Sequence, residues 1–429
     1  MKGRRRSILK VALSTLLLVA AWSGLVIVAG LNGWGRMPLA GTGPGAFMAA
    51  ARRVAADHPG NLGLVLIEDG RVFDEHFAST GRSVDRDTLF QVASVSKWIT
   101  AWGVMALVEA GRLDLDAPVG AYLTRWRLPP GRFDNKEVTV RRLLSHTAGL
   151  TDGLGYCGFA PGQPMDTLEA SLTRASDACP GSDGAVVAGA EPGAGWRYSG
   201  GGYTLLQLVV EEVTGEPFPA YMRRAVLAPL GMNRSTFETA AGNAENVATF
   251  YDSDGSEATH YRYTASAAAS LYTSAADLTR FVQAHLPGPG GEPRGRGVLS
   301  PTTLEAMRRP HAAQYGADMW GLGLRLYTPN DAGSFIIGHD GGNAPAINTT
   351  ARVDPASGDA IIALATGGSA LASRLGSEWL FLRRGEVTAL TIIGETYRLL
   401  PWIAGGSLLI LFGGAAAGWR AQRRKPVQA

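Results

Sequence analysis

The chain has 429 residues, too many for one small core, and its 40 Lys and Arg against 37 Asp and Glu leave a formal net charge of +3. Charged residues make up only 18%, and no basic stripe interleaved with aromatics occurs, so nucleic acid is excluded as a partner class. The 56 glycines are dispersed among turns and show no solenoid or propeller period.

In chain order, Lys2, Arg4, Arg5, Arg6 and Lys10 precede the uncharged stretch Val11–Leu31. As a helix it spans roughly 30 Å, the thickness of a hydrocarbon core. This reads as an uncleaved anchor. The alternative is a cleaved signal peptide, but its apolar region is usually about 7–15 residues and Leu39-Ala40-Gly41 is a poor cleavage site. Leu399–Trp419 is a second uncharged stretch, followed by Arg420, Arg423, Arg424 and Lys425. Its alternative is a buried C-terminal helix. Trp34, Trp402 and Trp419 fall where interfacial aromatics belong. Positive residues flank the outer end of each stretch, so both termini are expected in the cytoplasm and residues 36–397 outside, at a cell membrane. Three regions result: a basic tail and anchor over 1–35, an extracytoplasmic domain over 36–390, and a second membrane helix with a basic tail over 391–429.

Within the outer region, Pro44–His58 reads as an amphipathic helix. Asp69-Gly70 joins Leu62–Glu68 to Arg71–Phe77 as a hairpin. Phe90–Ala110 reads as one buried helix stopped by Gly111. Helices are expected near 137–145, 203–214, 217–228 and 275–285. Short strands follow at Met319–Tyr327, Ser334–Gly338, Ala346–Val353 and Asp359–Ala365, with a turn at Asp354–Gly358, then a helix over Ala370–Arg384. Strands at both ends with helices between imply one sheet built from distant segments plus a helical insertion, an α/β (α+β) fold.

Ser94-Val95-Ser96-Lys97 opens the apolar helix with a serine and a lysine three residues apart. On a helix they share a face, so the amine can accept the hydroxyl proton near the positive end of the helix dipole. The bland reading of a lone Ser-x-x-Lys is a helix-capping serine and a solvated lysine. Three further stretches follow in order: Leu143-Leu-Ser-His-Thr-Ala-Gly-Leu150, Tyr198-Ser199-Gly200 and Gly338-His339-Asp340-Gly341-Gly342. Together with Ser274–Phe281 and Trp320–Leu324, the set resembles the serine β-lactamase and penicillin-binding-protein superfamily over about residues 44–382. The resemblance is to its class C, D,D-carboxypeptidase and esterase branch. It implies an antiparallel sheet flanked by helices beside an all-helical lobe, with the site in the cleft.

By that resemblance Ser94 is the nucleophile, Lys97 its partner and Tyr198 a second base or proton shuttle. Which of Lys97 and Tyr198 takes the proton stays open. The N–H groups of Ser94 and Gly342 would form the oxyanion hole. Gly341 would let substrate approach the strand edge, and His339 would orient Tyr198 or a substrate carboxylate. His146 reads as a loop-locking residue. Two departures bear on substrate: Gly200 stands where the family has Asn, and Asp340, in place of Thr, sets a negative charge where many members meet a substrate carboxylate. Both count against strong β-lactamase activity.

Cys157 and Cys179 bracket a Gly-, Pro- and Asp-rich stretch in the outer region, which permits a disulfide, with two free thiols as the alternative. No metal site is expected, since neither cysteine has a metal-like neighbour and the seven histidines are scattered without His-Glu-x-x-His. No cofactor is implied, and no Gly-x-Ser-x-Gly elbow supports an α/β-hydrolase. The expected function is a membrane-anchored serine hydrolase acting through an acyl-enzyme on a small-molecule or peptide substrate, amide of cell-wall type or ester. The alternative is a catalytically silent binding or regulatory protein, for which Gly200 is the main argument. No particular protein partner is indicated.

Overall fold

The computed structural model describes residues 2–31, 39, 41–153, 155–238, 245–314, 316–343, 346–368, 370–385 and 389–423. Trp34, Ala40, Arg424 and Lys425, which enter the reading of the chain ends, lie outside them. The helices in chain order are α1 (Lys2–Leu31), α2 (Pro44–Ala56), α3 (Ser96–Glu109), α4 (Val140–Leu144), α5 (Leu168–Arg174) and α6 (Gly200–Thr214). They continue with α7 (Phe218–Met222), α8 (Ser266–Ala269), α9 (Ala275–Gln283), α10 (Pro301–Arg308), α11 (Leu371–Arg384) and α12 (Ala389–Arg423). The strands are β1 (Leu62–Glu68), β2 (Arg71–Ala78), β3 (Leu89–Gln91), β4 (Tyr272–Ser274) and β5 (Ala312–Gln314). The rest are β6 (Ala317–Trp320), β7 (Arg325–Pro329), β8 (Phe335–Asn343), β9 (Ile347–Val353) and β10 (Ala360–Ala365). The chain divides into two compact units, residues 1–42 with 377–429 and residues 43–376, the second boundary falling inside α11.

In the first unit, α1 and α12 each carry a stretch long and apolar enough to cross a membrane, Leu9–Gly30 and Leu399–Arg420. Two glycines let them approach closely. A Cβ at Gly406 would lie 2.0 Å from the Trp22 indole, and one at Gly414 would lie 2.3 Å from Thr15 Oγ1. The Trp22 Nε1–H donates to the Trp402 carbonyl at 3.0 Å. Outward-facing Leu9, Leu16, Leu409 and Phe412 are exposed.

The second unit is built on one antiparallel eight-stranded sheet in the order β2-β1-β10-β9-β8-β7-β6-β5. The chain closes it by pairing an early hairpin with its last strand, Leu62 opposite Ala365. That hairpin turns on Asp69 and Gly70, both at positive φ (48° and 75°), the geometry that a two-residue primed turn requires. On one face β1 and β10 lie beneath α9, whose Leu278 and Phe281 are fully buried. α3 and α6 form the centre of the helical part, and α3 is buried along almost its entire length.

Three differences from the boundaries read in the sequence bear on the site. Phe90–Ala110 is not a single helix. Leu89–Gln91 pairs with β4, a 3-10 turn covers Ala93–Val95, and α3 begins only at Ser96. The break comes at Ala93, whose φ of 46° cannot continue a right-handed helix. Met319–Tyr327 is likewise two strands, split at Gly323 (φ 81°), where a Cβ would sit 2.1 Å from that of Ala101 on α3. Finally, β8 runs on beyond the expected end at Gly338 through Asn343.

Candidate active site

Ser94 is half-buried at the centre of the 3-10 turn that feeds α3. Val92 fixes the turn: its N–H donates to the Leu271 carbonyl at 3.0 Å, and its own carbonyl accepts from Val95 N–H at 3.2 Å and Thr349 Oγ1 at 2.9 Å. The left-handed Ala93 between them is a strained conformation for a residue with a Cβ, held by these bonds beside the hydroxyl.

α3 is almost wholly apolar, and its polar side chains at 96, 97 and 100 all serve one neighbour, the α8 segment. Ser96 Oγ accepts from Leu271 N–H at 3.0 Å, and Thr100 Oγ1 donates to the Ala267 carbonyl at 2.9 Å. Lys97, 2% exposed, reaches the Ala268 carbonyl at 2.8 Å and Ser94 Oγ at 3.3 Å. The same nitrogen lies 5.0 Å from the Tyr198 ring centroid and 5.6 Å from that of Tyr203. Lys97 thus has one fixed partner, one aromatic wall and the serine hydroxyl, and the structure brings Ser94, Lys97 and Tyr198 together.

Tyr198 sits at the entry to α6, in an aromatic cluster with Trp196, His146, Tyr203 and Trp320. The His146 ring lies 4.3 Å from that of Tyr198 and 4.8 Å from that of Trp320. His146 itself is at positive φ (58°), and its Nδ1 accepts from Ser199 N–H at 3.2 Å. Accepting at Nδ1 puts the ring proton of the neutral imidazole on Nε2. Burial holds its pKa well below 6.5, helped by Lys97, so the ring is neutral.

The start of α6 is held by Asp152, a residue that the sequence reading missed. Its carboxylate accepts from the Ser199 hydroxyl and from Gly201 N–H at 2.7 Å, at the positive end of a helix of fifteen residues. The Ser199 hydroxyl in turn accepts from Gly202 N–H at 2.8 Å, an N-cap bond. Burial raises the pKa of Asp152, opposed by these hydrogen bonds. A Cβ at Gly201 would lie 2.5 Å from Val186 and 2.9 Å from the Asp152 carboxyl carbon, so that position has no room for a side chain. The triple glycine was the available signal for a crowded helix start.

On β8, Gly341 faces the serine turn: a Cβ there would be 2.1 Å from the Val92 carbonyl oxygen. At Gly342 the nearest neighbour to a Cβ would be 3.8 Å away. His339 shares the face of Gly341, 2% exposed and edge-on to Trp320 at 5.4 Å. Its Nδ1 donates to the Asp340 carbonyl at 2.6 Å, and burial, with Arg325 and Lys97, pushes its pKa down to about 3. A neutral imidazole supplies no cation for a substrate carboxylate.

Asp340 requires a correction. Strand alternation turns it to the opposite face from His339 and Gly341. There its carboxylate meets Arg352 at 2.9 Å, Arg325 at 3.2 Å and the Thr350 hydroxyl. Burial alone would raise its pKa, but the two guanidiniums outweigh this and hold it well below the usual carboxylate range. The charge is neutralised within the sheet by Arg352 and Arg325, on the face away from His339 and Gly341.

Cys157 and Cys179 are joined by a disulfide with a Cα–Cα distance of 4.9 Å. Tyr156, the residue before the bridged Cys157, lays its ring over Gly200: a Cβ at Gly200 would be 3.2 Å from Tyr156 Cε2 and 3.2 Å from Gly155 Cα. The space beside Tyr198 that Gly200 leaves open is therefore occupied, which the sequence reading did not anticipate.

The family profile described as Beta-lactamase matches residues 49–379. Penicillin-binding protein 4 of Amycolatopsis lactamdurans is 31% identical over 307 residues, 68% of this chain and 75% of that protein. Esterase EstB of Burkholderia gladioli is 31% identical over 284 residues, 57% of this chain and 67% of that protein. The octameric penicillin-binding protein homologue from Pyrococcus abyssi superposes with a TM-score of 0.62 at 24% identity, covering 80% of this chain and 77% of that one, a likeness of fold. With a profile match across most of its length, the chain belongs to the Beta-lactamase family.

Proposed function

We propose that the protein is a membrane-anchored serine hydrolase that forms an acyl-enzyme on Ser94, with its catalytic domain on the outer side of a cell membrane. The observation that carries this reading is Lys97 Nζ, buried and anchored to Ala268, 3.3 Å from Ser94 Oγ. In its neutral form the amine accepts the hydroxyl proton as Oγ attacks the carbonyl carbon of an ester or peptide-type amide. The N–H groups of Ser94 and Gly342 serve as donors to the developing oxyanion. Lys97 and Tyr198 return the proton to the leaving group, and water then cleaves the acyl-enzyme with the serine hydroxyl restored. His146 and His339, both neutral, keep the Tyr198 side of the site free of added positive charge.

Relatives named a penicillin-binding protein and an esterase support both substrate classes. We favour an ester or peptide substrate over penicillins, because Gly200 offers no side-chain amide and Tyr156 presents a hydrocarbon ring edge in its place. The test is rapid mixing of the full chain in detergent with p-nitrophenyl acetate. The reading expects a burst of about one nitrophenolate per enzyme. Linear release without a burst, at a rate unchanged in Ser94→Ala, would contradict it.

A further inference from the structure

Tyr156 immediately precedes the loop closed by Cys157–Cys179, and its side chain lies along the first turn of α6. Its hydroxyl bonds Thr204 Oγ1 at 2.7 Å, and Thr204 Oγ1 donates to the Gly200 carbonyl at 3.3 Å. The phenol oxygen is thereby committed to the helix, and the edge that borders Gly200, Cε2 and Cδ2, is hydrocarbon. Burial pushes the phenol pKa up, so it stays a neutral ring.

The segment is held at several points. Tyr156 bridges Ala178 in antiparallel fashion, Cys157 N–H donates to the Asp177 carbonyl at 2.7 Å, and the disulfide ties Cys157 to Cys179 beside that bridge. Gly155 and Gly158 on either side adopt positive φ (142° and 83°), which lets the chain turn sharply enough to lay the ring on α6. A ring fixed at both its oxygen and its backbone, bordering Gly200 two residues after Tyr198, is a rigid wall rather than a surface side chain.

Resting on Ser94 as the acylated nucleophile, we propose that Tyr156 is a specificity-determining residue: its ring walls the substrate cleft on the Tyr198–Gly200 side and limits the size of the group that reaches Ser94. The wall is apolar, so the substrate group that packs against it is a short hydrocarbon substituent.

The experiment uses the full chain in detergent with two series of esters. One varies the acyl group from acetyl to octanoyl on p-nitrophenol, and the other varies the alcohol on a fixed acetyl group. Tyr156→Ala should raise the ratio of kcat/KM for large over small substrates about tenfold in the series that reaches the wall. Tyr156→Phe keeps the ring and should keep the wild-type ratio. Gly200→Ala should move the ratio the opposite way, and that effect should shrink in the Tyr156→Ala background, where the Cβ still meets Gly155 Cα but no ring.

Equal loss on every substrate, or a Tyr156→Phe protein that behaves like Tyr156→Ala, overturns the wall while leaving Ser94 chemistry intact. Wild-type turnover that survives Ser94→Ala, or no turnover at all, overturns the hydrolase reading and the wall with it.

Discussion

Lys97 Nζ lies 3.3 Å from Ser94 Oγ while the Ala268 carbonyl holds the same nitrogen at 2.8 Å. The anchor removes the freedom that a surface lysine would have, so the amine waits at the hydroxyl before substrate arrives. Lys97→Arg keeps the charge but cannot take a proton. It should slow acylation by roughly 10²–10⁴-fold, the usual reach of general-base catalysis. The rate constant for fluorophosphonate labelling measures this, with thermal unfolding to confirm the fold. A rate within about threefold of wild type would remove Lys97 from the chemistry.

The α6 start tests a purely structural claim. Gly201→Ala places a methyl group 2.5 Å from Val186 and 2.9 Å from Asp152 inside a packed region. Overpacking of this kind costs about 1–3 kcal/mol. Urea unfolding should show that loss. Gly405→Ala on α12, where nothing lies within 4 Å of a Cβ, should leave the unfolding midpoint unchanged.

Much of this site was legible in the sequence, and each exception has a physical cause. Spacing alone put Ser94 and Lys97 on one face, and the resemblance pointed to Tyr198, β8 and the antiparallel sheet. Asp152 and Tyr156 were invisible because each acts across a loop on a helix start distant in sequence, and neither has a local pattern. The Gly200-Gly201-Gly202 run carried a trace of both, since three small residues at a helix start imply that something leans on it. Asp340 was misread for a different reason. Two-residue alternation along β8 assigns it to the face opposite His339 and Gly341, but that rule needed the strand to extend beyond Gly338. The single helix expected over Phe90–Ala110 failed at Ala93, because an apolar run does not reveal a left-handed residue.

Acid should weaken the fold through histidines kept neutral inside it. His285 packs against Trp98, Trp102 and Phe281, and neither ring nitrogen has a hydrogen-bond partner among the described residues. Burial, with a contribution from Arg308, holds its pKa well below 6.5. The unfolded chain takes up a proton here as pH falls past ~6.5, and the folded chain does not. The stability is therefore fully present above that pH and is lost as pH falls below it. His285→Phe should make the pH dependence shallower by up to about 1.4 kcal/mol per pH unit between pH 6 and 4, read from unfolding midpoints. His339, with its pKa near 3, contributes in the same direction and remains in the variant. An unchanged slope would contradict a neutral, unpartnered His285.

Membrane topology gives an independent check. With both apolar helices spanning, a reporter fused after Ala429 should be active only in the cytoplasm. Activity on the outer side would show that α12 does not cross, despite the length and composition of Leu399–Arg420.

The most direct measurement of the central claim is the intact mass of the protein after reaction with a fluorophosphonate, wild type beside Ser94→Ala. The account predicts one adduct on wild type, mapped to Ser94, and none on the variant. No adduct on folded wild-type protein, or an adduct that persists in Ser94→Ala, would contradict it.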